Sequence, residues 1–307
     1  MRVLAHIHTF NEAAFIEQAL EGLQRQTRTP DAIIVVDNGS TDGTLDRTFP
    51  ENVTVIRNPA DLGTSGSVGI GFAHALKHEF DWIWVLDADS VPESGALENL
   101  LAFFDRMPPA EQEGVCFLAC RLATQSNAAA HRPHVFAESG LQSVSPDASL
   151  GYCRCDVFIW SGSLFRMPAV AKIGQPSTDY FMDLSELEYG YRARQLGYTS
   201  YIVNSSVLHQ DVGRDPGVGS RFYRFGPINI PLVETSPLRS YYAMRNMIYF
   251  WLYQSKPRRM KPIFRVIVTV LIFAFGLVLR PLSHRPQLVA CIRGIRDGLA
   301  GNIAPRY

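Results

Sequence analysis

The sequence lacks an excess of either charge. Its 307 residues include 29 Lys and Arg and 29 Asp and Glu, so the formal net charge at pH 7 is zero. A protein that binds nucleic acid through the phosphates carries a clear basic excess. The charge balance therefore argues against that class of protein, and we expect no nucleic-acid partner.

Cysteine is scarce as well. The five cysteines are an odd number and follow no secreted disulfide pattern. Cys116 with Cys120, and Cys153 with Cys155, lack the spacing of a zinc site, so we expect core thiols. The first residues begin directly with an apolar, strand-like run and show no signal-peptide pattern. We therefore expect a cytoplasmic protein.

One long apolar segment complicates this expectation. Residues 263–279, IFRVIVTVLIFAFGLVL, are slightly fewer than the ~20 residues that span a bilayer. Basic stretches, KPRRMK and RPLSHRP, flank the segment. An apolar helix with basic flanks favours the surface of an anionic membrane, so we expect peripheral membrane contact through residues 256–285. A helix buried in protein and a membrane-spanning helix remain open alternatives.

Strand-like and helix-like segments alternate in the first part of the chain. The predicted strands are VLAHIHTF, AIIVVD, VTVIRN and WIWVLDAD. The predicted helices between them are NEAAFIEQALEGLQRQ, a short one in STDGTLDRTF, and SGSVGIGFAHALKH. Repeated β-α-β units predict an α/β fold, an open and mostly parallel sheet with helices on both faces.

The pattern changes after about residue 111. The later segments predict a strand in GVCFLACRLA, a helix in DLSELEYGYRARQLGY and an aromatic helix in SPLRSYYAMRNMIYFWLYQ. We expect two regions: a nucleotide-binding and catalytic domain over residues 1–215, and a C-terminal helical, membrane-associating appendage over residues 216–307.

Polar side chains follow each of the four predicted strands. They are Thr9, Asn11, Glu12, Asp37, Asn58, Asp87 and Asp89. In open α/β sheets, ligands bind beyond the carboxyl ends of the strands. These side chains are therefore expected to line one crevice, although a solvated strand end is often polar too.

The residue types at these ends suggest particular chemistry. Asp87-Ala88-Asp89 places hard oxygen ligands close together, which suits Mg²⁺ or Mn²⁺ on a diphosphate. Asp37 precedes NGSTDG, and it either forms a turn or accepts a hydrogen bond from a nucleobase. The small residues around Gly66 do not read Gly-x-Gly-x-x-Gly and do not follow the first strand, which argues against a dinucleotide loop. They let a helix start approach a diphosphate or sugar.

Further acids and one histidine are candidates for catalysis. Glu186 lies three residues after Asp183, so the two are neighbours if one helix covers both. A carboxylate in a crevice can take a proton from an attacking hydroxyl. Together with Glu188, these acids equally suit a solvated helix face. His209 suits either a core position or a metal site.

Taken together, these segments resemble family 2 glycosyltransferases of the GT-A fold. The matching pieces are TFNEAAFIEQAL, IIVVDNGSTDGT, NPADLGTSGSVGIG, WVLDADSVP, SGSLFR, FMDLSELEYGYRARQLGY and VLHQDVG, in the family's order. The later SPLRSYYAMRNMIYF and IRGIRDGLAGN resemble the bacterial rhamnosyltransferase branch.

The resemblance implies roles for individual residues. The nucleotide pocket would involve Thr9, Asn11, Glu12, Asp37, Asn58 and Gly66. Asp87-Ala88-Asp89 would be the metal motif, with Asp87 nearer the ribose and Asp89 the direct ligand, and His209 would complete the metal site. Glu186 would be the catalytic base, where many relatives carry Asp. Asp183 and Glu188 would help to bind the sugars, and Trp160, Ser161 and Gly162 would lie on the acceptor side.

The resemblance also implies an activity. It is metal-dependent, inverting transfer of a sugar from a nucleotide-diphosphate donor to a saccharide or lipid-linked acceptor in bacterial surface polysaccharide synthesis. The leading donor is dTDP-L-rhamnose, and a UDP-sugar such as UDP-galactofuranose is the alternative. The expected location is the inner face of the cytoplasmic membrane, with a homo-oligomer left open. A nucleotidyltransferase and a non-catalytic carbohydrate-binding protein are the other readings.

Overall fold

The chain divides into two compact units, residues 1–178 with 186–212 and residues 179–185 with 213–307. The computed structural model describes residues 1–123, 133–137, 140–144, 150–210, 220–225, 228–233, 236–255, 267 and 285–304. Except for residue 267, the apolar segment 263–279 lies outside these residues. No helix within the described ranges has both the length and the apolar character needed to cross a bilayer.

The first unit carries most of the strands. They are β1 (Val3–Thr9), β2 (Ala32–Asp37), β3 (Val53–Arg57), β4 (Trp82–Asp87), β5 (Ser90–Pro92), β6 (Val115–Ala123), β7 (His134–Ala137), β8 (Gly140–Ser143), β9 (Tyr152–Cys155), β10 (Ser163–Arg166) and β11 (Thr199–Gln210). Its helices are α1 (Ile16–Gln24), α2 (Gly63–Lys77), α3 (Ala96–Asp105), α4 (Pro109–Gln112), α5 (Met167–Ile173) and α6 (Ser185–Gln195), whose first residue belongs to the second unit.

The main sheet has the strand order β3-β2-β1-β4-β10-β6-β11-β5, with β9 also paired to β11. Strands β1 to β4 pair in parallel, as do β6 and β11, while β10 runs antiparallel between β4 and β6. Six of these strands therefore share one direction. The open, mostly parallel sheet with flanking helices that the sequence predicted is confirmed.

Alternation of side chains along β1 assigns each residue to one of two cores. Val3, Ala5 and Ile7 pack with α1 and α3 on one face, and Leu4 packs with α2 on the other. Because β1, β2 and β4 are covered on both faces, their sequences are almost continuously apolar. All five cysteines are free and buried, which confirms the expected core thiols.

The short helix predicted in STDGTLDRTF is wrong, because the residues there form turns. The carboxylate of Asp42 accepts the backbone N–H groups of Ala13 and Thr44, both at 3.0 Å. Local side-chain hydrogen bonds of this kind compete with the helical pattern.

The second unit contains a hairpin and a helix pair. Its elements are β12 (Ser220–Phe225), β13 (Ile228–Val233), α7 (Pro237–Tyr249), a π-helical continuation over Phe250–Gln254, and α8 (Arg285–Leu299). Ser236 caps α7 by accepting the Arg239 backbone N–H at 3.2 Å. Arg245 is completely buried and donates to the carbonyls of Asp179 and Ala304, which ties three separate segments of this unit together.

Candidate functional site

The carboxyl ends of adjacent parallel strands meet at one edge of the sheet. Thr9 of β1 lies opposite Asp37 of β2, and His8 of β1 lies opposite Asp87 of β4. Arg57, at the end of β3, lies opposite Asp37. The structure thus brings the predicted polar strand ends to one edge, which is where open α/β sheets bind ligands.

Asp37 is fully buried within a tight turn. Its carboxylate accepts the backbone N–H groups of Gly39 at 3.2 Å and Ser40 at 3.1 Å. Gly39 has a φ of +82°, which disfavours any residue with a side chain. Asn58 donates its side-chain N–H to Asn38 Oδ1 at 2.9 Å. These hydrogen bonds show that Asp37 stabilises a turn. Its contact with a nucleobase stays a prediction.

Asn11 and Glu12 tie the loop after β1 to the loop after β2. The backbone N–H of Asn11 donates to Ser40 Oγ, and the Asn11 side-chain oxygen accepts the backbone N–H of Thr41, both at 2.8 Å. The backbone N–H of Glu12 donates to Thr44 Oγ1 at 3.0 Å. These bonds fix the rim of the edge before any ligand arrives.

Asp87 is the last residue of β4, and Asp89 follows it by two residues. His8 Nε2 lies 2.8 Å from Asp87 Oδ1, and Gln210 Nε2 donates to Asp87 Oδ2 at 2.6 Å. The Asp87 backbone N–H donates to Ser161 Oγ at 3.0 Å. Burial and the neighbouring charge of Asp87 raise the pKa of Asp89 to about 6. Two carboxylates held close together fit a divalent cation, which prefers hard oxygen ligands.

His8 is a site residue that the sequence analysis missed. Burial disfavours its charged form, but the charge and hydrogen bond of Asp87 outweigh burial and raise the pKa of His8. The charges of Asp89 and Glu186 act in the same direction. The available signal was the alternation in HIHTF, since His6 and His8 must share one face of an otherwise apolar strand.

Glu186 and Asp183 belong to different compact units. Glu186 is in the first turn of α6, which begins at Ser185. Asp183 precedes the helix with a φ of 56° and forms an ion pair with Arg239 at 3.0 Å. The condition for Asp183 and Glu186 to be neighbours on one helix is therefore not met, because the helix starts after Asp183.

Glu188 is held within α6. It is 4% exposed, and its two carboxylate oxygens accept hydrogen bonds from Arg192 at 2.6 and 3.0 Å. A bidentate pair four residues apart on a helix stabilises that helix. This geometry favours a structural role for Glu188 over direct contact with a sugar.

The resemblance implies that His209 completes a metal site with Asp89, whereas in the structure His209 contacts Glu93, outside the Asp87-Ala88-Asp89 motif. Its Nε2 lies 2.9 Å from Glu93 Oε1, and its side chain is about half exposed. Successive residues of a strand face opposite sides, and it is the next residue, Gln210, that reaches Asp87. Within the described residues, no three or more His, Cys, Asp or Glu side chains are grouped to hold a metal.

The remaining candidates lie in packed surroundings. Trp160 is 2% exposed, and its ring centroid is 5.4 Å from that of Phe165. A Cβ added to Gly66 would lie 2.7 Å from that of Leu62, so this glycine permits close packing at the start of α2. Thr9 is buried, and its Oγ1 makes no hydrogen bond within the described structure.

Comparison with known proteins points to a family of enzymes. Residues 5–140 match the family model described as glycosyl transferase family 2. Galactofuranosyltransferase GlfT1 of Mycobacterium tuberculosis H37Rv is 28% identical over 213 residues, which cover 64% of this chain and 65% of that protein. The N-acetylglucosaminyl-diphospho-decaprenol L-rhamnosyltransferase of the same strain is 25% identical over 243 residues, covering 68% and 76%.

Solved structures share the fold at low identity. Staphylococcus aureus TarS 1–349 in complex with UDP-GlcNAc superposes with a TM-score of 0.57 at 15% identity, covering 99% of this chain and 88% of that one. The mannosyltransferase PcManGT of Pyrobaculum calidifontis, in complex with GDP-Man and Mn²⁺, gives 0.58 at 15%, covering 98% and 87%. Residues 5–140 of the chain thus resemble glycosyl transferase family 2, and the chain has the GT-A fold.

Proposed function

We propose that the protein is an inverting glycosyltransferase that moves a sugar from a nucleotide-diphosphate donor to a saccharide or lipid-linked saccharide acceptor. The observation that carries this proposal is the pair Asp87 and Asp89 at the end of β4. The charge of Asp87 raises the pKa of Asp89, and a cation between the two carboxylates would relieve their repulsion. This supports a cation site at these two residues. The domain match over residues 5–140 supports the same reaction class.

Asp89 and Asp87 are the proposed holders of Mg²⁺ or Mn²⁺. A cation held by these carboxylates would supply positive charge to neutralise the leaving diphosphate. PcManGT, which shares the fold, is in complex with Mn²⁺ and a nucleotide sugar. His209 stays a proposed third ligand, and binding through it requires its ring to leave Glu93.

The nucleotide is proposed to bind along the ends of β1 and β2. Thr9 presents a buried hydroxyl without a partner in the described structure, which suits a hydrogen bond to the ligand. Asp37 and Asn58 lie in the turn beside it, with Asn11 and Glu12 at the rim. Gly66, which packs against Leu62, is proposed to let the start of α2 approach the diphosphate or the sugar.

Glu186 is the proposed catalytic base. Its charge acts on His8, so its carboxylate lies within electrostatic reach of the strand edge. It takes the proton of the acceptor hydroxyl, whose oxygen then attacks the anomeric carbon from the face opposite the diphosphate. The new glycosidic bond forms as the bond to the diphosphate breaks, which inverts the configuration. Asp183 and Trp160 are proposed to support sugar binding.

Two donors remain in competition. The similarity to the rhamnosyltransferase supports dTDP-L-rhamnose, and the similarity to GlfT1 supports UDP-galactofuranose. Calorimetric titration with both donors, UDP-galactose, UDP-N-acetylglucosamine and GDP-mannose, with Mn²⁺ and then with chelator, tests the proposal. Metal-dependent binding of one donor supports it and selects the sugar. Binding of none contradicts it, and donor binding without transfer favours a non-catalytic relative.

A nucleotidyltransferase would use the same carboxylates. That class needs a Gly-rich loop bearing Lys or Arg after the first strand, whereas this chain has TFNEAAF there. Release of pyrophosphate from a nucleoside triphosphate would favour that class over a glycosyltransferase.

Membrane contact is proposed for residues 256–285 at the inner face of the cytoplasmic membrane. The support comes from the basic flanks of the apolar segment and from a lipid-linked acceptor. Replacing Lys256, Arg258 and Arg259 with Gln should reduce co-sedimentation with anionic vesicles but not with neutral ones. Equal sedimentation of the variant and the unmodified protein contradicts the proposal. This test keeps α8, which truncation at residue 256 would remove.

A further inference from the structure

Both carboxylate oxygens of Asp87 are held by side chains that come from other strands. His8 of β1 holds Oδ1 through its Nε2 at 2.8 Å, and Gln210 of β11 donates to Oδ2 at 2.6 Å. The Asp87 backbone N–H is fixed in turn by Ser161 Oγ at 3.0 Å. The carboxylate therefore has one defined orientation, set by three segments that are distant in sequence.

The sheet itself brings these partners together. His8 is directly opposite Asp87 in the parallel pairing of β1 with β4. Gln210 is opposite Ser90 in the antiparallel pairing of β11 with β5, which places its side chain beside the residues that follow β4. The side chain of Gln210 also acts against the rise of the pKa of Asp89. Gln210 thus bonds one acid of the Asp87-Ala88-Asp89 motif and influences the pKa of the other.

The side chains of His8 and Gln210 each bury a polar atom that has no hydrogen-bond partner in the described part of the chain. His8 is 13% exposed in its side chain, and its Nδ1 has no hydrogen-bond partner among the described residues. The Oε1 atom of Gln210 is likewise buried and unpartnered there. Burying polar atoms without partners costs free energy, which a strong bond from another atom of the same side chain can offset. For both side chains, that bond goes to the Asp87 carboxylate.

We propose that His8 and Gln210 are positioning residues, which hold the Asp87 carboxylate in the orientation that receives the nucleotide and its cation. The proposal rests on the proposed function of this edge. Neither residue has to touch the ligand. Each carboxylate oxygen keeps a further lone pair for the ligand, so the clamp fixes Asp87 without occupying it. Residues that orient a ligand-binding carboxylate typically change affinity or activity by about 10- to 100-fold when they are replaced.

Binding of dTDP and of UDP in the presence of Mn²⁺, measured by calorimetry at pH 8, tests the clamp with whichever of the two the unmodified protein binds. His8→Leu and Gln210→Met each remove the donor to Asp87 at similar size, and each should weaken binding by about 10- to 100-fold. His8→Gln keeps a donor nitrogen at the same distance along the side chain and should restore most of the affinity. His6→Leu is the control, because His6 is fully buried on the same face of β1 and neither of its ring nitrogens has a hydrogen-bond partner among the described residues.

If the proposal is right, His8→Leu weakens nucleotide binding only by disturbing Asp87. A double-mutant cycle tests this. In an Asp87→Ala background, His8→Leu should change affinity by less than about twofold, because the carboxylate that His8 orients is gone. A damaged fold would instead weaken binding by the same factor in both backgrounds. Equal factors, or failure of His8→Gln to restore binding, overturn the proposal.

Crystal structures of the empty protein decide the matter without any ligand. The unmodified protein and His8→Gln should show one orientation of the Asp87 carboxylate, and the combined His8→Leu and Gln210→Met variant should show it turned or disordered. An unchanged carboxylate in the combined variant overturns the positioning role. If the unmodified protein binds no nucleotide with Mn²⁺, the proposed function fails, and the crystallographic result still decides the clamp.

Discussion

Replacing Asp89 with Asn should remove binding and at the same time stabilise the empty protein. The pKa of Asp89 is about 6 in the folded protein against 3.8 in an unperturbed side chain, because burial and the charge of Asp87 disfavour its ionised form. An acid with a raised pKa holds its proton more tightly in the folded state. Stability is therefore lost as pH rises from about 4 through about 6, and the full loss is present at pH 8.

The size of the effect follows from that difference in pKa. One pKa unit corresponds to about 1.4 kcal/mol, so the difference between 3.8 and about 6 corresponds to at most about 3 kcal/mol at pH 8. Partial exposure of Asp89 reduces this, and we expect a gain of about 1–3 kcal/mol for Asp89→Asn. The gain should fall to about half by pH 5, where most of the Asp89 in the folded protein is already protonated.

Two assays check this prediction. Thermal unfolding at pH 5, 6, 7 and 8 measures the stability difference, and calorimetry measures Mn²⁺-dependent nucleotide binding. Binding by the unmodified protein should weaken by about tenfold from pH 7 to pH 5, since about nine-tenths of Asp89 is ionised at pH 7 and about one-tenth at pH 5. Asp105→Asn, at an exposed acid on α3, serves as the control. A less stable Asp89→Asn protein at pH 8, or one that binds normally, refutes the reasoning.

Three further predictions address the base, a glycine and a histidine. Glu186→Gln should reduce transfer by about 10²–10⁴ while calorimetric donor binding is kept, and equal loss of both would contradict a role as base. Gly71→Ala should destabilise the protein by about 1–3 kcal/mol in denaturant titration, because the new Cβ would lie 2.7 Å from His6 Cδ2. Gly69→Ala on the same helix meets only ordinary contacts and should stabilise by up to about 1 kcal/mol. Burial holds the pKa of His6 well below 6.5, so unfolding should become easier as pH falls below about 6.5, and His6→Leu should lessen that trend in thermal unfolding.

The sequence could predict the parts of the fold in which apolar residues repeat at regular spacing and parallel strands run in one direction. Apolar runs gave β1, β2 and β4, and their alternation with helices gave a parallel sheet whose carboxyl ends meet. The antiparallel insertion of β10 between β4 and β6 could not be predicted in this way, since a four-residue strand has too few side chains to show its neighbours. The helix predicted between β2 and β3 does not form, because Asp42 accepts the backbone N–H groups of Ala13 and Thr44 and stabilises turns instead.

The candidate site also has residues that the sequence could predict and residues that it could not. Asp37, Asp87 and Asp89 stand at strand ends, and the ends of parallel strands are determined by topology alone. His8 and Gln210 contact Asp87 only because particular registers set β1 beside β4 and β11 beside β5. Register depends on the packing of the whole sheet, so no local pattern in the sequence could reveal those two contacts.

Three buried polar atoms without partners in the described structure lie at the candidate site. Among the described residues, eleven buried side-chain N and O atoms lack a hydrogen-bond partner, and three of them, His8 Nδ1, Thr9 Oγ1 and Gln210 Oε1, belong to residues at the carboxyl ends of β1 and β11. The partly buried Asp89, with its raised pKa, follows the end of β4. A fold that needed this edge only for packing would be more stable with apolar residues there, like those that fill most of β1 and β4, where His6 is a buried polar exception in β1. Polar groups that weaken the empty protein at one edge are typical of a surface that is completed by a ligand.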